Sequence, residues 1–251
     1  MSSARPKARI PEGIAAEIGA KIVSGRLKPG TILDGEIDAS CERDVSRSAY
    51  REAIGILTAK GLVQSRTKTG TRVTDLEKWN LLDPDVLNWT FARKPPQELL
   101  VSLFELRELL EPEAAALAAQ RRTPDQLGIM SSALEIMARE TLHTERGRSA
   151  DETFHSQLLA ASANPYLMSL SSSITAAIAW STMFKVRTHR LKRDALPDHI
   201  KVYRAVAAGH PRAARAAMRE LIELAFSDAT ELQERPRAPT ARQSPRRQRA
   251  S

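Results

Sequence analysis

Apolar residues in the first sixty positions recur with a helical rather than a strand period. In "IPEGIAAEIGAKIVSG", Ile14, Ile18 and Ile22 return every fourth residue, while Pro11 suits a first helical position and Gly25 a stop. After "LKPGT", the stretch from Glu36 to about Arg43 predicts a second, short helix, more polar than one packed on both neighbours should be. Ser46 offers a cap to a third helix from Arg47 to Lys60, whose Tyr50, Ala53, Ile54 and Leu57 make one stripe and which Gly61 ends. "LVQSR", "TKTG" and "TRV" then read as strand, turn and strand. Three helices and a hairpin within so short a span are the plan of a winged helix-turn-helix.

From there on the pattern is helical throughout. Residues 74–95 form a connector in which Trp79 and Trp89 bracket "LLDPD". Beyond it, "PQELLVSLFELRELLEPEAAALAAQRR", "PDQLGIMSSALEIMARETLHT", "SADETFHSQLLAASA", "NPYLMSLSSSITAAIAWSTMFKVR", "LPDHIKVYRAVAAG" and "HPRAARAAMRELIELAFSDATEL" each predict helix. Breaks are expected at Pro124, Gly147, Asn164-Pro165, Pro197 and Pro211. The fold class is therefore mainly α: a winged helix-turn-helix with a small β-hairpin wing, then an all-α bundle of about six or seven helices. The expected divisions are a winged helix-turn-helix domain over 1–76, a linker and connecting helix over 77–95, an all-α domain over 96–234, and a basic tail over 235–251.

Charge sharpens this picture. Residues 1–73 hold 13 Lys and Arg against 8 acids, residues 74–234 hold 19 against 22, and the Pro/Arg/Ser-rich tail holds 6 arginines and no acid. A polyanion would thus meet the N-terminal segment, not the whole surface, and the tail is expected to be disordered. No apolar run approaches the roughly 18 residues of a membrane span, and the start carries no apolar leader, so a cytoplasmic protein with no membrane partner is expected. The single cysteine, Cys41, excludes an internal disulfide framework.

On the third helix Arg47 and Arg51 stand one turn apart beside the apolar stripe, flanked by Ser48. Such a helix can enter a major groove with its arginines on guanine edges or phosphates, while Lys68 and Gly70 let a wing approach the backbone or minor groove. Two arginines so spaced are also what a solvated helix face looks like; the adjacent basic hairpin and the local charge excess favour double-stranded DNA. In the bundle, Asp151 and His155 in "DETFH" project from one helix face, and His199 opens a later helix in "LPDH". Carboxylate plus imidazoles suits zinc, nickel or manganese, although Asp and His at this spacing also simply bond each other. Trp180 is a candidate stacking surface for an effector, with core filling as the plainer reading.

"VSRSAYREAIGILTAKGLVQSRTKTGTRV", preceded by "IVSGRLKPGTIL", resembles the DNA-binding domain of the GntR family of bacterial transcription regulators. The resemblance implies Arg47 and Arg51 as base or phosphate readers, Ser46 and Ser48 as phosphate contacts, and Gly70 as the wing tip. Where the family often carries a proline, an apolar second-helix residue and a further basic residue, this chain has Asp34, Arg43 and Ile37. "ELRELLEPEAAALAA", "DETFHSQLLAASANPYL" and "DHIKVYRAVAAGHPRAARAAM" resemble the FCD ligand-sensing domain of the FadR-type branch. That domain implies a divalent metal held by one Asp and three His; Asp151, His155 and His199 take the first three places and Leu221 the fourth.

The same resemblance makes Arg107 a clamp for an effector carboxylate, against the plain alternative of an exposed pair with Glu111. "WNLLDPDVLNW" is similar to the linker of GntR regulators of sugar-acid catabolism. The function implied is a homodimeric repressor that reads an inverted repeat and is released by an aldonate or uronate. Two other functions remain open on the sequence: a metal-dependent enzyme acting on a small hydroxy acid through Asp151, His155 and His199, and an architectural DNA binder without a ligand.

Overall fold

The computed structural model of the chain describes residues 10–66, 69–92, 96–187 and 193–234. Lys68 and the tail over 235–251 lie outside the described residues. The N-terminal part comprises α1 (Ile10–Val23), α2 (Glu36–Glu42), α3 (Arg47–Ala59), β1 (Val63–Arg66) and β2 (Gly70–Val73). The Ser46 side chain accepts from the Ala49 amide, capping α3, and the predicted stripe Tyr50, Ala53, Ile54 and Leu57 is the buried face. It packs on Ile14, Ile18 and Ile22 of α1. The strands pair antiparallel with Val63 opposite Val73 and Arg66 opposite Gly70. Thr31 and Leu33 bond β2 from its other side, which braces the wing against the turn before α2.

A 3-10 turn (Leu76–Lys78) and α4 (Pro84–Phe91) make the connector, with Asp83 capping α4. Among the described residues seven helices follow: α5 (Gln97–Arg121), α6 (Pro124–Glu140), α7 (Glu145–Ala161), α8 (Pro165–Ser169), α9 (Ser171–Arg187), α10 (Leu196–Ala207) and α11 (Pro211–Glu234). Pro124 and Pro165 start helices as expected, behind the caps Thr123 and Asn164. Two expectations are corrected. Gly147 does not begin a helix: α7 starts two residues earlier because Thr144 caps it by accepting from the Gly147 amide. A side chain at 147 would also strike the Thr141 carbonyl oxygen at 1.7 Å. The stretch from Pro165 to Arg187 is not one helix either, since Leu170 closes α8 and α9 begins at the next residue.

Buried residues fall into two clusters, and α4 belongs to both. Val86 and Trp89 join the N-terminal core, whereas Leu87 and Phe91 join the bundle core. The fit to α1 is tight enough that a Cβ on Gly19 would lie 2.3 Å from the Trp89 ring. On the opposite side Phe91 lies 4.3 Å, centroid to centroid, from Trp180 of α9. Lys60, at the end of α3, reaches Asp83 at 2.7 Å and Asp85 at 2.8 Å. The connector therefore ties the end of α3 to the bundle through packed side chains.

Candidate functional site

Two sets of residues carry chemistry, one on the N-terminal helices and one in the bundle core. Arg47, Ser48 and Arg51 are exposed along the start of α3, with the Ser46 and Ser48 hydroxyls 3.0 Å apart. Arg51 is not loose: its Nε and Nη2 donate to Glu36 of α2 at 3.2 and 2.6 Å. Exposed as it is, that pair adds little to stability, but it fixes which edge of the guanidinium faces outward. Gly70 sits in β2 at a φ of +79°, the left-handed region glycine enters at no steric cost. Arg66 and Arg72 are exposed on the wing and, with Lys78 of the 3-10 turn, line a groove of about 460 Å³. None of these three was singled out from the sequence, because "TRV" and "QSR" show a basic residue on a strand without saying which side of the hairpin it takes.

In the bundle, α7 presents Asp151 and His155 from one face and α10 presents His199 opposite, all three buried. Asp151 Oδ1 lies 2.9 Å from His199 Nε2 and 3.9 Å from His155 Nε2, and the two Nε2 atoms are 3.3 Å apart. Donor atoms about 2.0–2.1 Å from one tetrahedral ion stand roughly 3.3 Å from each other, so the cluster has the right dimensions. The ring orientations agree. His199 Nδ1 is 2.7 Å from the Ala195 carbonyl oxygen, which can only accept, so the Nδ1 proton points outward and Nε2 faces the cluster. Asp151 Oδ1 is buried with no hydrogen bond, since His199 Nε2 is near but off the line a donated proton would need. A buried anion in that state calls for a cation, either a proton on His199 or a metal ion. The donor set fits the metal.

Charge around the cluster follows the same logic. Burial pushes the Asp151 carboxyl up, but His199, His155 and Arg107 outweigh it and hold it down to about 2. Burial likewise opposes the charged form of Glu111, and Arg107 with His155 brings that carboxyl to about 2. Burial lowers His199 and Asp151 raises it, with a net rise. The folded carboxylates thus lie below their unfolded values, so their contribution is complete above roughly pH 4.5 and is lost as pH falls toward 2. His199 has the opposite sign: its contribution is present below its unfolded value and is lost as pH rises through its raised folded value. Metal-free protein should accordingly melt higher near pH 6 than near pH 8, and saturating zinc should remove or reverse the difference, because the metal requires neutral imidazole. Calorimetry at the two pH values, with chelator and with zinc, checks this; equal Tm values in chelator would refute it.

Arg107 is buried, not on the exposed helix face that the plain alternative supposed. It is 2% exposed, lies 5.1 Å over the Phe104 ring, and its Nε donates at 2.6 Å to Glu111, itself 1% exposed. The pair with Glu111 does form, but on the inner side of α5. Trp180 is a core contact with α4. Leu221 is buried in the bundle core and supplies no ligand. Thr182 of α9, missed in the sequence, donates to Asp151 Oδ2 at 3.3 Å; a lone threonine in an apolar helix carries no signal of its partner.

Residues 11–73 match the family model described as bacterial regulatory proteins, gntR family, and residues 102–224 match the FCD domain. The uncharacterized HTH-type transcriptional regulator YieP of Escherichia coli K12 is 34% identical over 192 residues, covering 73% of this chain and 84% of the relative. This chain belongs to the GntR family. As a GntR regulator with an FCD domain it shares 34% identity over 162 residues with the galactonate operon transcriptional repressor of E. coli K12, covering 64% of the chain and 71% of that protein. LutR of Bacillus subtilis, an HTH-type transcriptional regulator, is 34% identical over 206 residues, 78% of this chain and 90% of LutR. The fold recurs in the solved structure of Lar from Listeria monocytogenes, with a TM-score of 0.62 at 23% identity over 91% of this chain and all of that one (100%). These relatives are transcriptional regulators, which does not favour the metal-dependent hydroxy-acid enzyme. Among the described residues no helix is long and apolar enough to cross a membrane.

Proposed function

We propose that this GntR regulator is a homodimeric repressor of a sugar-acid catabolic operon. Arg47 and Arg51 would read an inverted repeat, with Ser46, Ser48 and the Gly70 wing on the backbone. A divalent ion on Asp151, His155 and His199 would supply a Lewis-acidic centre for the carboxylate and hydroxyl oxygens of an aldonate or uronate. The observation that carries the reading is the convergence of these three donors, one of them an orphaned buried carboxylate oxygen, in the bundle of a chain with a DNA-binding head. The galactonate operon repressor among its relatives supports the effector class. Leu221 in the fourth place leaves coordination positions to water and effector. Release from DNA then requires only that the effector bind better to a head arrangement that mismatches the operator.

The test is a selection of duplexes from a randomised pool by the full chain, followed by titration of the enriched duplex at about physiological salt. The pool should converge on a two-fold repeat with guanines in each half, and one member of a panel of aldonates and uronates should release the protein. Arg47→Ala and Arg51→Ala should each weaken binding to the enriched duplex roughly ten- to hundredfold, and binding to unselected DNA much less. Failure of the pool to converge would overturn the operator reading; convergence without release by any acid would overturn the effector.

A further inference from the structure

Arg107 and Glu111 form a charge pair in the bundle core, with side-chain exposures of 2% and 1%. Removing two charges from water is expensive, and an apolar pair of like volume is often as stable or more so. Stability alone is thus a poor reason for this pair. Glu111 has a second contact: its Oε2 lies 2.8 Å from His155 Nδ1, on the ring edge away from Asp151 and His199. That contact is close but not aligned as a hydrogen bond, so it acts chiefly as a negative charge held against one ring nitrogen. A carboxylate there favours the tautomer with its proton on Nδ1 and leaves the Nε2 lone pair facing the cluster. His199 receives the same orientation from the Ala195 carbonyl.

We propose that Glu111 is a positioning residue for the metal centre: it fixes His155 as an Nε2 donor, and Arg107 balances its charge so that the carboxylate can remain in the core. The inference rests on the metal reading above. It gives Arg107 a role two contacts removed from the ion and separate from effector capture. It also accounts for a metal site that manages with three protein donors: a carboxylate behind an imidazole raises its basicity as a ligand, and such partners are worth about 10- to 100-fold in metal affinity.

The experiment is zinc titration of the full chain against a competing chelator at one pH, for wild type, Asp151→Ala and the double variant Arg107→Met/Glu111→Leu. Wild type should take up one zinc per chain, Asp151→Ala should lose it, and the double variant should bind about 10- to 100-fold more weakly while keeping its helical circular dichroism. The zinc-induced rise in Tm should shrink in parallel. A purely structural pair would change the metal-free Tm and leave zinc affinity alone; equal affinity in a folded double variant overturns the inference and leaves the metal reading intact. No zinc uptake by wild type overturns both. Should the double variant fail to fold, Glu111→Gln makes the same comparison, because it removes the negative charge behind His155 while keeping the side-chain length; equal affinity there overturns the inference as well.

Discussion

Glu111→Leu alone should destabilise the bundle by about 3–5 kcal/mol, because it leaves the Arg107 guanidinium buried without its counter-charge. For a chain of this size that is a fall in Tm on the order of 10 °C. Arg107 cannot escape the penalty by moving outward: it lies over Phe104 within the packed core of α5, α7 and α11. Adding Arg107→Met removes the stranded charge, and the double variant should return to within about 1–2 kcal/mol of wild type. The residual cost is the lost attraction between the Glu111 carboxylate and the Nδ1 edge of His155, together with imperfect packing of the two new apolar side chains. Thermal unfolding in chelator of wild type, both single variants and the double variant closes the cycle. The decisive quantity is the interaction energy between the two positions. Additive single-variant losses would mean that the two charges do not compensate each other, and the account of why Glu111 tolerates burial would fail.

The cycle also bears on what can be read from a sequence. The helices and the hairpin were legible because their signals are local: a four-residue apolar period, a cap three residues before its amide, a proline at a first turn. Gly147 misled for a local reason as well. Glycine near a helix start looks like a break, whereas here it is the amide that Thr144 caps, and only the distance to the Thr141 carbonyl shows why no larger residue fits. The division between α8 and α9 had no such mark, since Leu170 and Ser171 are as compatible with a continuing helix as with a new one.

Within the site, Asp151 and His155 were legible as a pair by their i,i+4 spacing and His199 as a histidine opening a later helix, with the family resemblance joining the three, but their partners were not. Glu111, Thr182 and the Ala195 carbonyl come from three different helices or their approaches, and a contact between α5 and α7 leaves no trace in either segment read alone. Arg107 shows the limit most clearly. Its spacing from Glu111 gave the pair, while its burial depends on α11 and α7 covering α5 from both sides. On the N-terminal helices the two arginines were legible, but not the bond from Arg51 to Glu36, fifteen residues earlier.

Two glycines six residues apart should respond to alanine with opposite signs. Gly61, where α3 ends, has a φ of +74°, and an added Cβ would lie 1.9 Å from the Lys78 carbonyl oxygen. Alanine there pays for a left-handed backbone, roughly 1–2 kcal/mol, and displaces a backbone carbonyl, a strain of about 1–3 kcal/mol. The expected loss is therefore about 2–5 kcal/mol. Nothing nearby can yield cheaply, because the Asn80 amide bonds the Lys60 carbonyl at 2.9 Å and the Thr74 hydroxyl bonds the Gly61 carbonyl. Gly55, inside α3 and exposed, has no atom within 4 Å of an added Cβ. Alanine there should stabilise by about 0.5–1 kcal/mol through lower backbone entropy in the unfolded chain. Paired melting curves at one pH test both. If Gly61→Ala melts with wild type, the packing of the 3-10 turn against the end of α3 is not the rigid contact described, and the seam from recognition helix to connector loses its basis. If it melts early, that seam joins the head to α4 through backbone as well as through Lys60 and Trp89.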